Sequence, residues 1–107
     1  MKLPTKKQSR ISDYPASYRD LSFSLDNHEN LEKLAKLIKK HKESSELMVD
    51  CFVFDLFENK KQNLLKVGYR FKFQALENNI TDEETEAVMN PLIKESLQID
   101  GINIEGL

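Results

Sequence analysis

Three cations alternate along one stretch of the chain. Lys66, Arg70 and Lys72 fall within residues 65–75, with Gly68 opening a gap beside them. Side chains two apart on a strand leave from the same face. The three cations would therefore stand in a row, an arrangement suited to a phosphate backbone. Ser22 and Ser24 repeat the spacing on an earlier segment and could lie alongside. A solvated strand face is the plainer reading of the same residues.

The same stretch loosely resembles the RNA-recognition octapeptide. Parity breaks that likeness. Tyr69, Phe71 and Phe73 share the face of Leu65 and Val67. Turning them toward bases would drive Arg70 and Lys72 into the core. The expectation is that any RNA contact is basic and polar rather than aromatic.

No catalytic constellation accompanies these residues. His28 and His41 are isolated among polar neighbours and read as surface residues. Cys51 is the only cysteine and lies in an apolar run, the setting of a small buried hydrophobe rather than a reactive thiolate. It allows no internal disulfide and no multi-cysteine metal site. Asp82, Glu83, Glu84 and Glu86 lack the ligand spacing and glycine of a calcium loop. Glycine-rich phosphate loops are absent too. The sequence thus predicts no catalytic residue, metal or cofactor.

The elements that must position the cations are legible in turn. Leu21, Phe23 and Leu25 alternate with Asp20, Ser22 and Ser24, a half-buried strand. Asp26 and Glu29 suggest a helix cap, and Leu31, Leu34, Ala35 and Ile38 an apolar helical stripe. Residues 47–57 are nearly all apolar and predict a strand with much of both faces covered. Residues 65–75 give the clearest alternation in the chain. Thr81 and Glu84 form a capping box for a second helix, whose stripe is Val88, Met89, Leu92 and Ile93. Pro91 inside it predicts a kink. Ile102 and Ile104 close the series as a short strand.

Strand, helix, strand, strand, helix, strand with right-handed crossovers predicts an α+β, ferredoxin-like βαββαβ domain. Its four-stranded antiparallel sheet carries two helices on one face. The other face is left to solvent or a partner.

The chain has 107 residues and a net charge of −2, which suits one domain. Residues 1–76 hold fifteen basic and ten acidic side chains, and residues 77–107 one and eight. A basic half can meet phosphate while the acidic end faces away. Residues 1–12 read as a basic tail or linker and 13–107 as the domain. The tail has no apolar core of a secretory signal, and no run is long enough to cross a membrane.

Residues 14–23 (Tyr-Pro-Ala-Ser-Tyr-Arg-Asp-Leu-Ser-Phe), Phe54-Asp55-Leu56-Phe57, residues 68–73, Thr81-Asp82-Glu83-Glu84 and residues 101–106 occur in one order. Together they resemble the ferredoxin-fold anticodon-binding domain of phenylalanine–tRNA ligases, in spelling most like the organellar single-chain type. The resemblance implies binding of the anticodon stem-loop of phenylalanine tRNA, with the catalytic module as a further partner in the same chain or complex. Any activity would be that of the parent ligase, in the cytoplasm or an organelle. Arg19, Ser22, Ser24, Lys66, Arg70 and Lys72 are the candidate RNA contacts. Two departures stand out: the arginine that closes many members is replaced by Glu105-Gly106-Leu107, and Pro91 is unusual in the second helix. A stand-alone protein-interaction or regulatory domain on the same fold is the alternative.

Overall fold

The computed structural model describes residues 14–106. The basic tail expected over residues 1–12 lies outside them, as do Asp13 and Leu107.

Six elements follow in order: β1 (Ser17–Leu25), α1 (Glu29–Ser44), β2 (Met48–Asn59), β3 (Leu64–Phe73), α2 (Asp82–Leu97) and β4 (Ile102–Ile104). The sheet order is β2-β3-β1-β4, and every neighbouring pair is antiparallel. This is the α+β ferredoxin-like arrangement that the pattern of elements predicts.

Alternation in the two central strands decides which face the helices cover. Phe23 and Leu25 of β1 and Leu65, Val67, Tyr69, Phe71 and Phe73 of β3 are buried. They pack with Leu34 and Ile38 of α1, Met89 and Leu92 of α2, and the two isoleucines of β4. Phe23, Phe71 and Phe73 have no exposed surface. Each such side chain contributes about 1.5–3 kcal/mol relative to exposure. Among the described residues no helix covers the opposite face of the sheet.

The helix starts differ in kind. Thr81 Oγ1 accepts from the Glu84 amide at 3.1 Å, while the Thr81 amide donates to Glu84 Oε1 at 2.9 Å. This is the reciprocal box read from the sequence. At α1 the expected Asp26 cap does not form. The helix begins later, and Asn27 Oδ1 accepts the Asn30 amide at 2.9 Å. Asp26 instead donates its amide to the Gly101 carbonyl. Asn30 is buried and donates from Nδ2 to the Asp100 carbonyl at 3.0 Å, tying α1 to the turn before β4. Gly101 makes that turn with φ +89°, a conformation L side chains rarely adopt.

Two positions of α1 depart from expectation. Ala35 is exposed, whereas His41 is not the surface residue its polar neighbours suggest. Only 12% of its side chain is accessible, and Nε2 lies 3.2 Å from Glu95 Oε2 without hydrogen-bond alignment. α2 continues through Pro91 as one element. Pro91 and Ala87 are both exposed, so water can reach the carbonyl that proline leaves without a donor.

The largest departure is β2. A strand covered on both faces is not what forms. β2 is the outer strand, and only Met48 is buried along it. The helices do not reach across it. Val53 and Leu56 pair with Tyr69 and Val67 on the helix side, yet remain 44% and 57% exposed. Register shifts between Met48 and Asp50 and between Val53 and Asp55 explain the unbroken apolar run. Each shift adds a residue and changes the parity of the strand.

Candidate nucleic-acid interface

The open face is built by the residues of β1 and β3 that the core does not use. Cross-strand partners place Tyr18 beside Lys72, Asp20 beside Arg70, Ser22 beside Gly68 and Ser24 beside Lys66. Five of the six candidate RNA contacts therefore share one surface. Arg19 does not. It pairs with Phe71 on the helix side, and its Nη2 donates to Asp82 Oδ1 at 3.0 Å. Its parity with Leu21, Phe23 and Leu25 carries that placement in the sequence itself.

Two of the three cations are already paired. Arg70 holds Asp20 through Nε and Nη2, both at 2.8 Å, a bidentate fork across the strands. The hydrogen bond from Arg70 keeps the Asp20 carboxyl below its ordinary pKa, and Asp20 raises that of Arg70. Lys66 Nζ lies 2.7 Å from Glu105 Oε2, which also accepts from Ser24 Oγ at 3.3 Å. The hydrogen bond from Lys66 likewise depresses the Glu105 pKa. Among the described residues Lys72 forms no ion pair.

Besides Tyr18 of β1, the aromatic side chains on this face come from β2. Phe52 pairs with Arg70 and Phe57 with Lys66, so both project with those cations. Phe54 occupies the second bulge. Its ring lies over Gly68: a Cβ there would come within 2.8 Å of the ring. The gap that Gly68 opens is thus filled by an aromatic ring. Arg70 stands over the same ring, with its Cζ 5.0 Å from the centroid, within cation–π range. Phe52, Phe54 and Phe57 are 44–55% exposed, and Tyr18 is 52% exposed.

The expected RNA contact is basic and polar, and the open face carries exposed aromatic rings beside those groups. Tyr69, Phe71 and Phe73 do belong to the core, but the outer strand supplies other rings. The signal lay in residues 52–57, where Phe recurs amid a run that does not alternate. Gly68 marked the spot where one ring sits.

Among the described residues the arrangement offers planar groups for stacking, one bidentate guanidinium and, in Lys72, an ammonium outside any ion pair. Cys51 faces the helix side opposite Phe71, and its thiol is shifted up by burial. Among the described residues no group of three His, Cys, Asp or Glu side chains could hold a metal ion.

The sequence profile of the ferredoxin-fold anticodon binding domain matches residues 12–101. The chain belongs to that family. Its curated relatives are phenylalanine–tRNA ligases. The mitochondrial ligase of Dictyostelium discoideum is 33% identical over 76 residues, covering 70% of this chain and 16% of that protein. The chloroplastic/mitochondrial ligase of Arabidopsis thaliana is 30% identical over 73 residues, 68% of this chain and 17% of its own length. The ligase beta subunit of Thermotoga maritima is 30% identical over 91 residues, 83% of this chain and 11% of the subunit. The chain thus spans about a sixth or less of the length of these relatives. In fold, this anticodon-binding domain is similar to an uncharacterized protein from Thermotoga maritima. The TM-score is 0.53 at 11% identity, covering 85% of this chain and 94% of the other. Among the described residues no helix is long and apolar enough to cross a membrane.

Proposed function

We propose that this anticodon-binding domain receives the anticodon loop of phenylalanine tRNA on its open sheet face, as part of a phenylalanine–tRNA ligase. The observation that carries the reading is the seat formed by Gly68, Phe54 and Arg70. It holds a half-exposed ring with the Arg70 guanidinium carbon 5.0 Å from the ring centroid, within cation–π range. Unstacked loop bases bind by stacking on aromatic and guanidinium planes, and each stacked base contributes about 1–3 kcal/mol. Lys72 supplies a phosphate contact, and Ser22 supplies a hydroxyl between the strands. The function needs no cofactor in this domain. The aminoacylation chemistry belongs to the catalytic module of the ligase, its second partner. The mitochondrial and chloroplastic ligase relatives favour a mitochondrion or a plastid, with the cytoplasm as the alternative.

Because Arg70 and Lys66 are paired internally, stacking outweighs counterion release. The test is affinity for phenylalanine tRNA across salt concentrations, against a tRNA altered in the anticodon. A shallow salt slope, a preference for the native anticodon and loss of binding in Phe54→Ala support the proposal. Binding indifferent to the anticodon would sink it.

A further inference from the structure

We propose that two copies of this chain pair through β2, about a two-fold axis that passes between Phe54 and Asp55 and over Ala35 of α1. Among the described residues β2 has no strand on its outer side. It is twelve residues long and contains no lysine, arginine or proline, the residues that blunt an edge. The bulge at Phe54 bends the strand, but it lies on the proposed axis, so both copies bend at the same point.

The faces of β2 suit a second copy. By their partners in β3, Phe52, Asp55 and Phe57 stand on the open side, and Val53 and Leu56 on the helix side. Phe54, whose ring lies over Gly68, is on the open side too. Read outward from the middle of the bulge, both directions along the strand therefore give open side, helix side, open side. A two-fold axis at that point matches like with like. Val53 then meets Leu56 of the second copy, and Phe52 meets Phe57. All four are about half exposed in the single chain, and apolar cross-strand pairs of this kind stabilise a sheet. A register one residue away would set open-side groups against helix-side groups. One two residues away would set Phe52 against Asp55.

The same axis falls on the exposed part of α1. His28, just before the helix, lies 3.2 Å from Glu58 on the helix side of β2. Near the other end, burial shifts the Cys51 thiol up and the charge of Lys42 opposes that shift, so these two residues are neighbours. The helix and the strand thus run side by side in opposite directions. Residues 28–42 as helix and residues 51–58 as strand both span about 21–23 Å. Their midpoints coincide, at Ala35 and at the Phe54–Asp55 bond. Ala35 belongs to the apolar stripe of α1 and yet is exposed. Two helices over four strands leave ~10 Å for each, so α1 and its two-fold mate come to the spacing of packed helices, with Ala35 as the small residue between them.

Charge is complementary along the seam. Glu46 and Asp50 lie at the start of β2, and Lys60 and Lys61 in the turn after its end. Antiparallel pairing brings each acidic start to the basic turn of the other copy, twice over. One like-charge approach remains, because the two Asp55 carboxylates lie diagonally across the axis. The seam covers on the order of 500 Å² per copy, the lower end of specific interfaces, which fits a transient dimer. The seat formed by Phe54 and Arg70 stays open in both copies, and the inference does not rest on RNA binding.

The test is sedimentation equilibrium of the full chain without RNA, from micromolar to millimolar concentration. The mass should rise from one chain to two and no further. Leu56→Glu should weaken the dimer about tenfold or more. Leu97→Glu, at a similarly exposed leucine of α2, should change nothing. Asp55→Asn should tighten the dimer about threefold by removing the diagonal repulsion. Asp50→Lys alone, and Lys60→Glu with Lys61→Glu, should each weaken self-association, and mixing the two variants should restore a pair with one chain of each. The mass of a single chain at every concentration would overturn the proposal. So would association that continues beyond two copies, a dimer indifferent to Leu56→Glu, or charge variants that do not rescue each other.

Discussion

β2 and β3 are neighbours with similar amounts of aromatic side chain, and they use it in opposite ways. β3 keeps strict alternation, so Tyr69, Phe71 and Phe73 go inward and Lys66, Arg70 and Lys72 outward. β2 changes register twice, so its rings spread over the open side of the sheet. β3 lies in the middle of the sheet under helices, and β2 lies at its rim. Composition alone therefore does not say whether a phenylalanine is core or surface. Parity and position in the sheet do.

The sharpest way to break this contrast is to truncate one ring in each strand. Phe71→Ala should destabilise the fold by about 3–5 kcal/mol in denaturant titration, as for a fully buried aromatic. Phe54→Ala should leave stability within about 1 kcal/mol and weaken tRNA binding by about 1–3 kcal/mol. If both variants lost only stability, the rings of β2 would be structural as well.

A more selective cut is Gly68→Val. The added side chain meets the Phe54 ring rather than backbone, and the ring can move. Binding should fall nearly as far as in Phe54→Ala, with a smaller change in melting temperature.

Smaller again is the separation of the cations. Lys72→Ala should lower the slope of log K against log salt by about one, because an unpaired cation releases a counterion on phosphate binding. Lys66→Ala should lower it less, since Glu105 already neutralises that charge. Asp20→Asn should raise the slope by freeing Arg70.

The least effect concerns acid. The pKa of Asp20 is depressed in the fold, so its contribution to stability is present above the ordinary value near 3.8 and is lost as pH falls through the lower, folded one. Both partners are about two-fifths exposed, so solvent weakens the pair. Acid titration of Asp20→Asn should lack that small decline while the native chain shows it.

How much of this was legible in the sequence follows from the same contrast. The order of elements, the β1 and β3 faces and the Thr81 cap were readable because each obeys a fixed spacing. The open-face places of Lys66, Arg70, Lys72, Ser22 and Ser24 came with them. Three features were not readable. The bulges of β2 hide its parity, and an apolar run at a rim reads like one in a core. The α1 start was misplaced because Asp26, Asn27 and Asn30 offer competing side-chain bonds, and tertiary contact with Gly101 decides between them. His41 looked solvated beside three lysines, yet its side chain packs toward Glu95 on the other helix. The pairing of Arg70 with Asp20 and of Lys66 with Glu105 needs the strand register, which no local pattern contains.

The Phe54 seat has a consequence for descent. A ring at position 54 requires the absence of a side chain at 68, and the loss of that ring leaves room for one. The two positions are therefore bound to change together. Lineages that exchange the glycine should be those that have already given up the ring, and the combined replacement should be milder for the fold than the sum of its steps.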